Sequence, residues 1–374
     1  MLLIKNENCS RFFISMSLFA CGSFSCIADQ TFSSSGYMEY ARADDSRLLD
    51  EFRGEYAIGL DYANFSVSVC AEVFVDRVFK QNYPDWCELF VRFNNEQLSI
   101  TLGRQTLNWS LGRYFYVNDP FAKDWQSPAI GRDKGDIDDV NDGAQLTLFN
   151  LFATQLQFDW VWAKFVATNT YADFARVSLE QKHQLALEAE AIDDSEHMFR
   201  LSQQTDALNW AVFYRTGYQR QAQLTRGQYQ YNSLEHLGFS ISKQLGLGKF
   251  AFEYGHSRID HIGDESRFLF VFEPKFTQAD SGQFLRLQWM KDPQSNWLGI
   301  EYQNNLNESQ ALAVTQLFST EFRSLMLMAH YNVSLSQHWL WEIGVNVFAG
   351  QDTGAQWDYF AQSSNVYSRI RYQL

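Results

Sequence analysis

The chain ends on Val366-Tyr367-Ser368-Arg369-Ile370-Arg371-Tyr372-Gln373-Leu374, and this stretch sorts into two faces. Val366, Ser368, Ile370, Tyr372 and Leu374 fall on one side, and Tyr367, Arg369, Arg371 and Gln373 on the other. A period of two marks a β-strand, because successive side chains point to opposite faces. One face here is greasy up to the last residue, while the other carries two arginines. The chain therefore stops on a strand that needs an apolar and a wet environment at once.

The same alternation recurs upstream. Leu48 to Tyr62 sets Phe52, Tyr56, Ile58, Leu60 and Tyr62 against Glu51, Arg53, Glu55 and Asp61. Val67, Val69, Ala71, Val73 and Val75 oppose Ser66, Ser68, Cys70, Glu72 and Asp76. Further segments begin at Leu156, Leu208, Leu285, Leu298 and Trp339, where Trp341, Ile343, Val345 and Val347 face away from Glu342 and Asn346. A soluble sandwich alternates as well. Three features favour a membrane wall: charge on the polar face of many strands, Trp and Tyr near strand ends on the apolar face, and connections alternating short and long. Short connections are expected near 63–64, 94–96, 149–151, 243–248 and 334–338, and long ones near 77–86, 105–142, 217–233 and 349–365. All five prolines (Pro84, Pro120, Pro128, Pro274, Pro293) read as loop or turn residues, where no ladder N–H is lost.

The expected fold is all-β: a transmembrane antiparallel β-barrel of about 18 strands, within a range of about 16–20, even in number if both termini face one side. Residues 164–206 are ambiguous, since 179–191 also reads as an amphipathic helix. A barrel of this size encloses an aqueous lumen rather than a packed interior. It would consume residues 29–374 as one domain. Residues 1–28 read as a secretory signal peptide, with Lys5 and Arg11 before the apolar Phe12–Ala20 stretch and a small-residue end at Cys26-Ile27-Ala28. Leu18-Phe19-Ala20-Cys21 leaves lipidation of Cys21 as the alternative processing. Removing 1–28 takes away Lys5, Arg11 and Glu7, leaving 28 basic and 43 acidic residues and a charge of -15.

That charge excludes a general nucleic-acid binder, which needs a basic face. The mature chain keeps only Cys70 and Cys87. The alternation places them on opposite faces, which argues against a bridge unless a bulge shifts one of them. No metal-ligand spacing and no cofactor fingerprint occurs. The terminal strand resembles the C-terminal assembly signal of bacterial outer-membrane barrels, with Leu374 where Phe is usual. The resemblance implies an outer-membrane protein of a Gram-negative bacterium whose partners are outer-membrane lipid and, through that strand, the barrel-assembly machinery.

Alternation fails after Leu102, at Gly103-Arg104-Gln105-Thr106-Leu107-Asn108-Trp109-Ser110-Leu111-Gly112-Arg113. A polar stretch follows, with Trp125, Arg132, Asp133, Asp136, Asp138, Asp139 and Asp142 before Gly143. A connection this long is usually functional, and in a wide barrel it can fold into the lumen. Gly-Arg-Gln-x-Leu-x-Trp-x-x-Gly-Arg, then Trp125, Arg132 and Asp142-Gly143, resembles the corresponding strand–loop–strand of alginate-export-type outer-membrane porins. Members of that family line a strongly basic pore, from which the acidic balance of this chain departs. The resemblance implies that Arg104, Arg113 and Arg132 face the lumen, where guanidinium offers bidentate donors to carboxylate or phosphate. The competing reading has these arginines pin the loop by pairing with its aspartates.

Parity adds Arg53, Arg92, Glu51, Glu55 and Glu88 as pore-lining or solute-contact candidates. Asp136, Asp138, Asp139 and Asp142 form a candidate cation-binding loop, though their spacing lacks the alternating ligands of a calcium loop. The function implied is a porin-like channel for passive diffusion of small hydrophilic or charged solutes, and not an enzyme. Alternatives are a non-conducting scaffold or adhesin barrel and an outer-membrane hydrolase. For the hydrolase, Gly255-His256-Ser257 is the one suggestive neighbourhood, but adjacent strand residues point to opposite faces and cannot pair with each other.

Overall fold

The computed structural model describes residues 30–44, 49–78, 80–132, 138–152, 154–164, 166–169, 192–206, 208–225, 228–275, 282–321, 323–350 and 363–374. The leader read at 1–28, with Cys21, and the candidate helix at 179–191 lie outside them. The first strands are β1 (Gln30–Ala43), β2 (Asp50–Tyr62), β3 (Phe65–Asp76), β4 (Gln81–Asn94) and β5 (Leu98–Thr106). A short helix, α1 (Gln126–Ile130), precedes β6 (Val140–Leu151), β7 (Leu156–Ala163), β8 (Glu196–Gln204) and β9 (Asn209–Tyr218). After the hairpin β10 (Gln223–Thr225) and β11 (Gln228–Gln230) come β12 (Ser233–Leu245), β13 (Gly248–Ile259), β14 (Gly263–Pro274) and β15 (Gln283–Lys291). The wall finishes with β16 (Asn296–Asn307), β17 (Gln310–Ser319), β18 (Ser324–Ser334), β19 (Trp339–Ala349) and β20 (Asn365–Gln373).

Leaving out the β10–β11 hairpin, these make one 18-stranded sheet. Each strand pairs antiparallel with the next, β9 pairs with β12, and β20 closes the ring on β1 in the register Tyr40↔Ile370. Closure leaves no terminal edge strand, a condition for a β-wall in lipid, where unpaired backbone groups have no water to bond. No described helix is long and apolar enough to cross a membrane.

Burial is inverted relative to a soluble protein. Leu60, Leu89, Leu102, Leu237, Phe270, Leu298 and Trp341 are exposed on the outside. Glu51, Arg53, Asp159, Glu253, Glu342 and Arg369 are buried on the inside. An apolar outside and a charged inside are the arrangement expected of a wall with lipid around it and water within. At one rim most connections are tight, such as 63–64, 246–247 and 308–309. At the other rim lie the long ones, 107–139, 164–195, 219–232 and 350–364.

Two expectations need correction near β4. The connection placed at 77–86 spans only 77–80, and Pro84 sits inside the strand opposite Val73. Proline is tolerated there because β5 pairs with β4 only from Leu89 onward, leaving the first half of β4 with one unpaired edge. Secondly, Cys70 and Cys87 form a disulfide, with Cα atoms 5.1 Å apart. The register jumps from Cys70↔Glu88 to Ala71↔Trp86, so Cys87 is the extra residue of a bulge. That bulge releases Cys87 from its parity and brings it to Cys70. A cross-link closing a 17-residue separation contributes about 3 kcal/mol by loop-closure entropy. The double variant Cys70→Ala/Cys87→Ala should therefore unfold at lower urea concentration in lipid vesicles, with the barrel still able to form. An unchanged midpoint would refute a stabilising role.

Candidate functional site: a loop docked in the lumen

The 107–139 connection carries Trp109, Tyr114, Phe115, Val117, Phe121, Trp125 and Ile130, all buried. Leaving this much apolar surface in water is unfavourable by about 1.5–3 kcal/mol per large side chain. Inside the barrel it packs on inward-facing apolar wall residues instead. One cluster gathers Tyr114, Phe115, Val117, Trp125, Ala129 and Ile130 with wall residues including Ala251, Leu269, Trp297, Leu317, Met326 and Tyr367. A second gathers Trp109 and Phe121 with Val161, Met198, Ala211 and Phe213. The core of the molecule therefore lies in the lumen.

Local geometry fixes the loop's path. The Asp124 carboxylate accepts the backbone N–H groups of Gln126 and Ser127, each at 3.0 Å, at the start of α1. The helix ends on Gly131, whose φ of 84° lies in the left-handed region. A Cβ there would stand 2.4 Å from the Tyr367 ring, so glycine is needed for conformation and for space.

Polar anchors bind the loop to opposite walls. Glu253 on β13 accepts the N–H of Leu111 at 2.5 Å and of Asn118 at 3.3 Å. Gln288 on β15 accepts from Arg113 N at 2.8 Å and donates to Arg113 O at 2.9 Å. The Arg113 guanidinium pairs with Glu301 on β16. Farther along, Arg132 makes a two-pronged contact with Glu51 on β2, at 3.1 and 2.5 Å. Asn346 and Asn365 donate to Ala129 O at 3.0 and 2.9 Å. Hydrogen bonds to charged groups contribute about 1.5–3 kcal/mol each, so loop and wall form one unit.

Arg132 also heads a column along the β2–β3–β1–β20 wall. Its guanidinium lies over Phe74 at 5.4 Å, Arg53 over the same ring at 5.2 Å and over Tyr37 at 5.5 Å, and Arg371 over Tyr37 at 4.3 Å. Each guanidinium has its own carboxylate: Glu51 for Arg132, Glu72 and Glu55 for Arg53, and Glu39 for Arg371. Glu342–Arg369, Glu196–Arg215 and Asp159–Arg200 repeat the pairing elsewhere on the inner wall. The lining is thus strongly charged but locally compensated, which keeps either sign of buried charge affordable only as pairs.

The candidate residues distribute unevenly over this arrangement. Arg53, Arg113, Arg132, Glu51 and Glu55 come together in the loop anchors and the column. Arg92 donates to Thr101 Oγ1 at 3.0 Å on the wall, and Glu88 accepts from Thr106 N at 3.4 Å. Arg104 departs from expectation. It stands opposite Leu89 and Asp142 and two residues beyond Leu102, on the outward register, half-exposed and 3.8 Å from Asp85. The apolar pattern ends at Leu102, but the strand's two-residue register runs on and carries Arg104 to the side of Leu98, Ile100 and Leu102.

The candidate cation loop is not assembled among the described residues. Asp138 is paired with Lys123 and accepts from Asn108 Nδ2 at 2.6 Å, while Lys123 also meets Asp119 at 3.1 Å. Burial pushes the Asp138 carboxyl above its ordinary range, and the Lys123 ammonium opposes that shift. Asp139 caps Val140 N at 2.9 Å, and Asp142 is exposed on the outer register. Asp133 and Asp136 lie outside the described residues. Arg113 and Arg132 pin the loop, but through the wall glutamates Glu301 and Glu51 rather than loop aspartates, and Arg104 takes no part in it. Glu253, Gln288, Asn346 and Asn365 were missed. Glu253 lies on the polar parity of its strand, a signal the sequence did contain.

No protein-family model matches the sequence, and no curated protein matches it. Solved structures do share the fold. Pseudomonas aeruginosa OpdQ aligns with a TM-score of 0.60 at 10% identity, over 93% of this chain and 99% of that one. P. aeruginosa OccK2 (OpdF), solved in complex with glucuronate, gives 0.58 at 9% identity, over 92% and 97% of the two chains. The outer membrane protein opdK of P. aeruginosa gives 0.56 at 10% identity, over 93% and 100%. At such identities the likeness is one of fold: a closed antiparallel barrel.

Proposed function

We propose that this protein is an outer-membrane channel of a Gram-negative bacterium, passing small hydrophilic or charged solutes down their gradient and screening them at the docked loop. The observation that carries the reading is the 107–139 loop, held inside a closed 18-strand wall by anchors on opposite sides. A scaffold has no need of a lumen narrowed by a pinned loop, whereas a filter does. Lipid on the outer face, and the assembly machinery acting on β20, complete the set of partners.

Sugar acids are the solute class we favour. OccK2 (OpdF), similar in fold, is solved with glucuronate, and guanidinium groups lining a wall bind carboxylates in two-pronged fashion. The 103–113 motif keeps its resemblance to alginate-export-type porins. Its Arg113 and the following Arg132, however, are engaged by Glu301 and Glu51. Compensated arginines suit a small acid that exchanges with one wall carboxylate at a time better than a long polyuronate. Planar-bilayer recording of the purified protein tests the reading. Discrete conductance steps, reduced by millimolar glucuronate, are expected. A protein that inserts but conducts nothing would overturn the channel and favour the scaffold.

A further inference from the structure

The loop brings together three side chains that the channel reading does not use. His236 on β12 faces the lumen from beside the docked loop. Its Nδ1 lies 2.9 Å from Ser257 Oγ on β13, and its Nε2 lies 3.1 Å from Asn118 Oδ1 on the loop. The Asn118 amide has a fixed orientation, because its Nδ2 donates to Phe239 O at 3.0 Å. The oxygen it turns to His236 is therefore an acceptor, so Nε2 must carry the ring proton. That leaves the Nδ1 lone pair to accept the Ser257 hydroxyl. A hydroxyl, a base with its free lone pair aimed at it, and a third group setting the tautomer are the elements of an activated nucleophile.

The wall is shaped for this triad. A Cβ at Gly238 would stand 1.9 Å from Asn118 Oδ1, and one at Gly255 would stand 2.7 Å from His236 Cε1. Both positions must be glycine for the three groups to meet. Ser257 is only partly buried, and His256 beside it points outward to Ser266 at 3.0 Å, so the pairing crosses strands rather than running along one. Arg267 on β14 is paired across the ladder with Gly255, diagonal to Ser257, and is bonded to Glu265 at 3.3 Å.

We infer that Ser257 is an activated nucleophile and that the lumen beside the docked loop hydrolyses small carboxylic esters through the Ser257–His236–Asn118 relay. Ser257 Oγ adds to the ester carbonyl carbon as its proton passes to His236 Nδ1. Collapse of the adduct breaks the acyl C–O bond, and the alkoxide leaves with that proton. Water, deprotonated at the same nitrogen, then attacks the acyl-serine. Release of the acid returns the proton to Ser257. Asn118 is a positioning residue, acting only through the ring.

A fluorophosphonate probe tests this on the full chain in detergent, with folding followed by heat-modifiable gel mobility and peptide mapping of the modified site. Modification is expected at Ser257, absent in Ser257→Ala, and slower by about 100-fold or more in a folded His236→Gln variant. Asn118→Asp should keep the modification and move its pH profile upward, since a carboxylate stabilises the imidazolium; a purely structural role would not move that profile. No label at Ser257, or equal rates in wild type and His236→Gln, would overturn the inference. Bilayer conductance is read separately, so loss of the inference leaves the channel reading standing.

Discussion

Excising residues 107–139 and joining β5 to β6 by a short turn is expected to raise single-channel conductance severalfold. Thr106 and Val140 are directly opposite in the ladder, so a hairpin turn of about four residues can connect them without disturbing the register. The excision removes the apolar mass centred on Trp109, Phe115, Phe121 and Trp125 from the lumen. It also strips Glu253, Glu301 and Glu51 of Leu111, Asn118, Arg113 and Arg132. Those carboxylates would then face water in a wider pore, so the reversal potential should move toward cation preference along with the conductance. Loss of the buried apolar contacts should lower stability, but all 18 wall strands keep their ladders. An excised barrel that inserts and conducts like wild type would show that the constriction lies elsewhere.

Much of the wall was legible because its two faces obey one rule. Strand number, closure and the lumen-facing glutamates and arginines of β2, β3 and β20 follow from a period of two, which needs no tertiary knowledge. Parity failed where the backbone departs from it. A bulge at Cys87 converts two residues of opposite face into a disulfide, and no composition signal marks a bulge in advance. Arg104 was assigned to the lumen by resemblance of its motif, although its own parity with Ile100 and Leu102 pointed outward. The loop's presence was legible from its length and its broken alternation. Its anchors were not, because Glu253, Gln288 and Asn346 are distant in sequence and meet Leu111, Arg113 and Ala129 only once the loop turns inward. The His236–Ser257 pairing was hidden for the same reason. It depends on the β12–β13 register, His236↔Ser257, rather than on adjacency along the chain.

Arg132→Ala should destabilise the barrel by about 3–5 kcal/mol, the largest effect expected of a single substitution. The guanidinium is 9% exposed and Glu51 3%. Truncation leaves the Glu51 carboxylate buried without its two-pronged partner. It also removes the guanidinium that lies 5.4 Å from the Phe74 ring centroid, a ring that Arg53 meets at 5.2 Å. Pairing with Glu51 holds the C-terminal end of α1 against the wall, so the loop should loosen with it and single-channel current noise should rise. The double variant Glu51→Gln/Arg132→Met separates the two contributions. It removes both charges at similar volume and should recover most of the stability, because a neutral pair carries no uncompensated charge. The noise should remain, since neither residue then ties loop to wall. Urea unfolding in vesicles and bilayer recording of the three proteins measure both quantities. Equal destabilisation by the single and double variants would place the effect in lost packing on Phe74 rather than in the stranded charge.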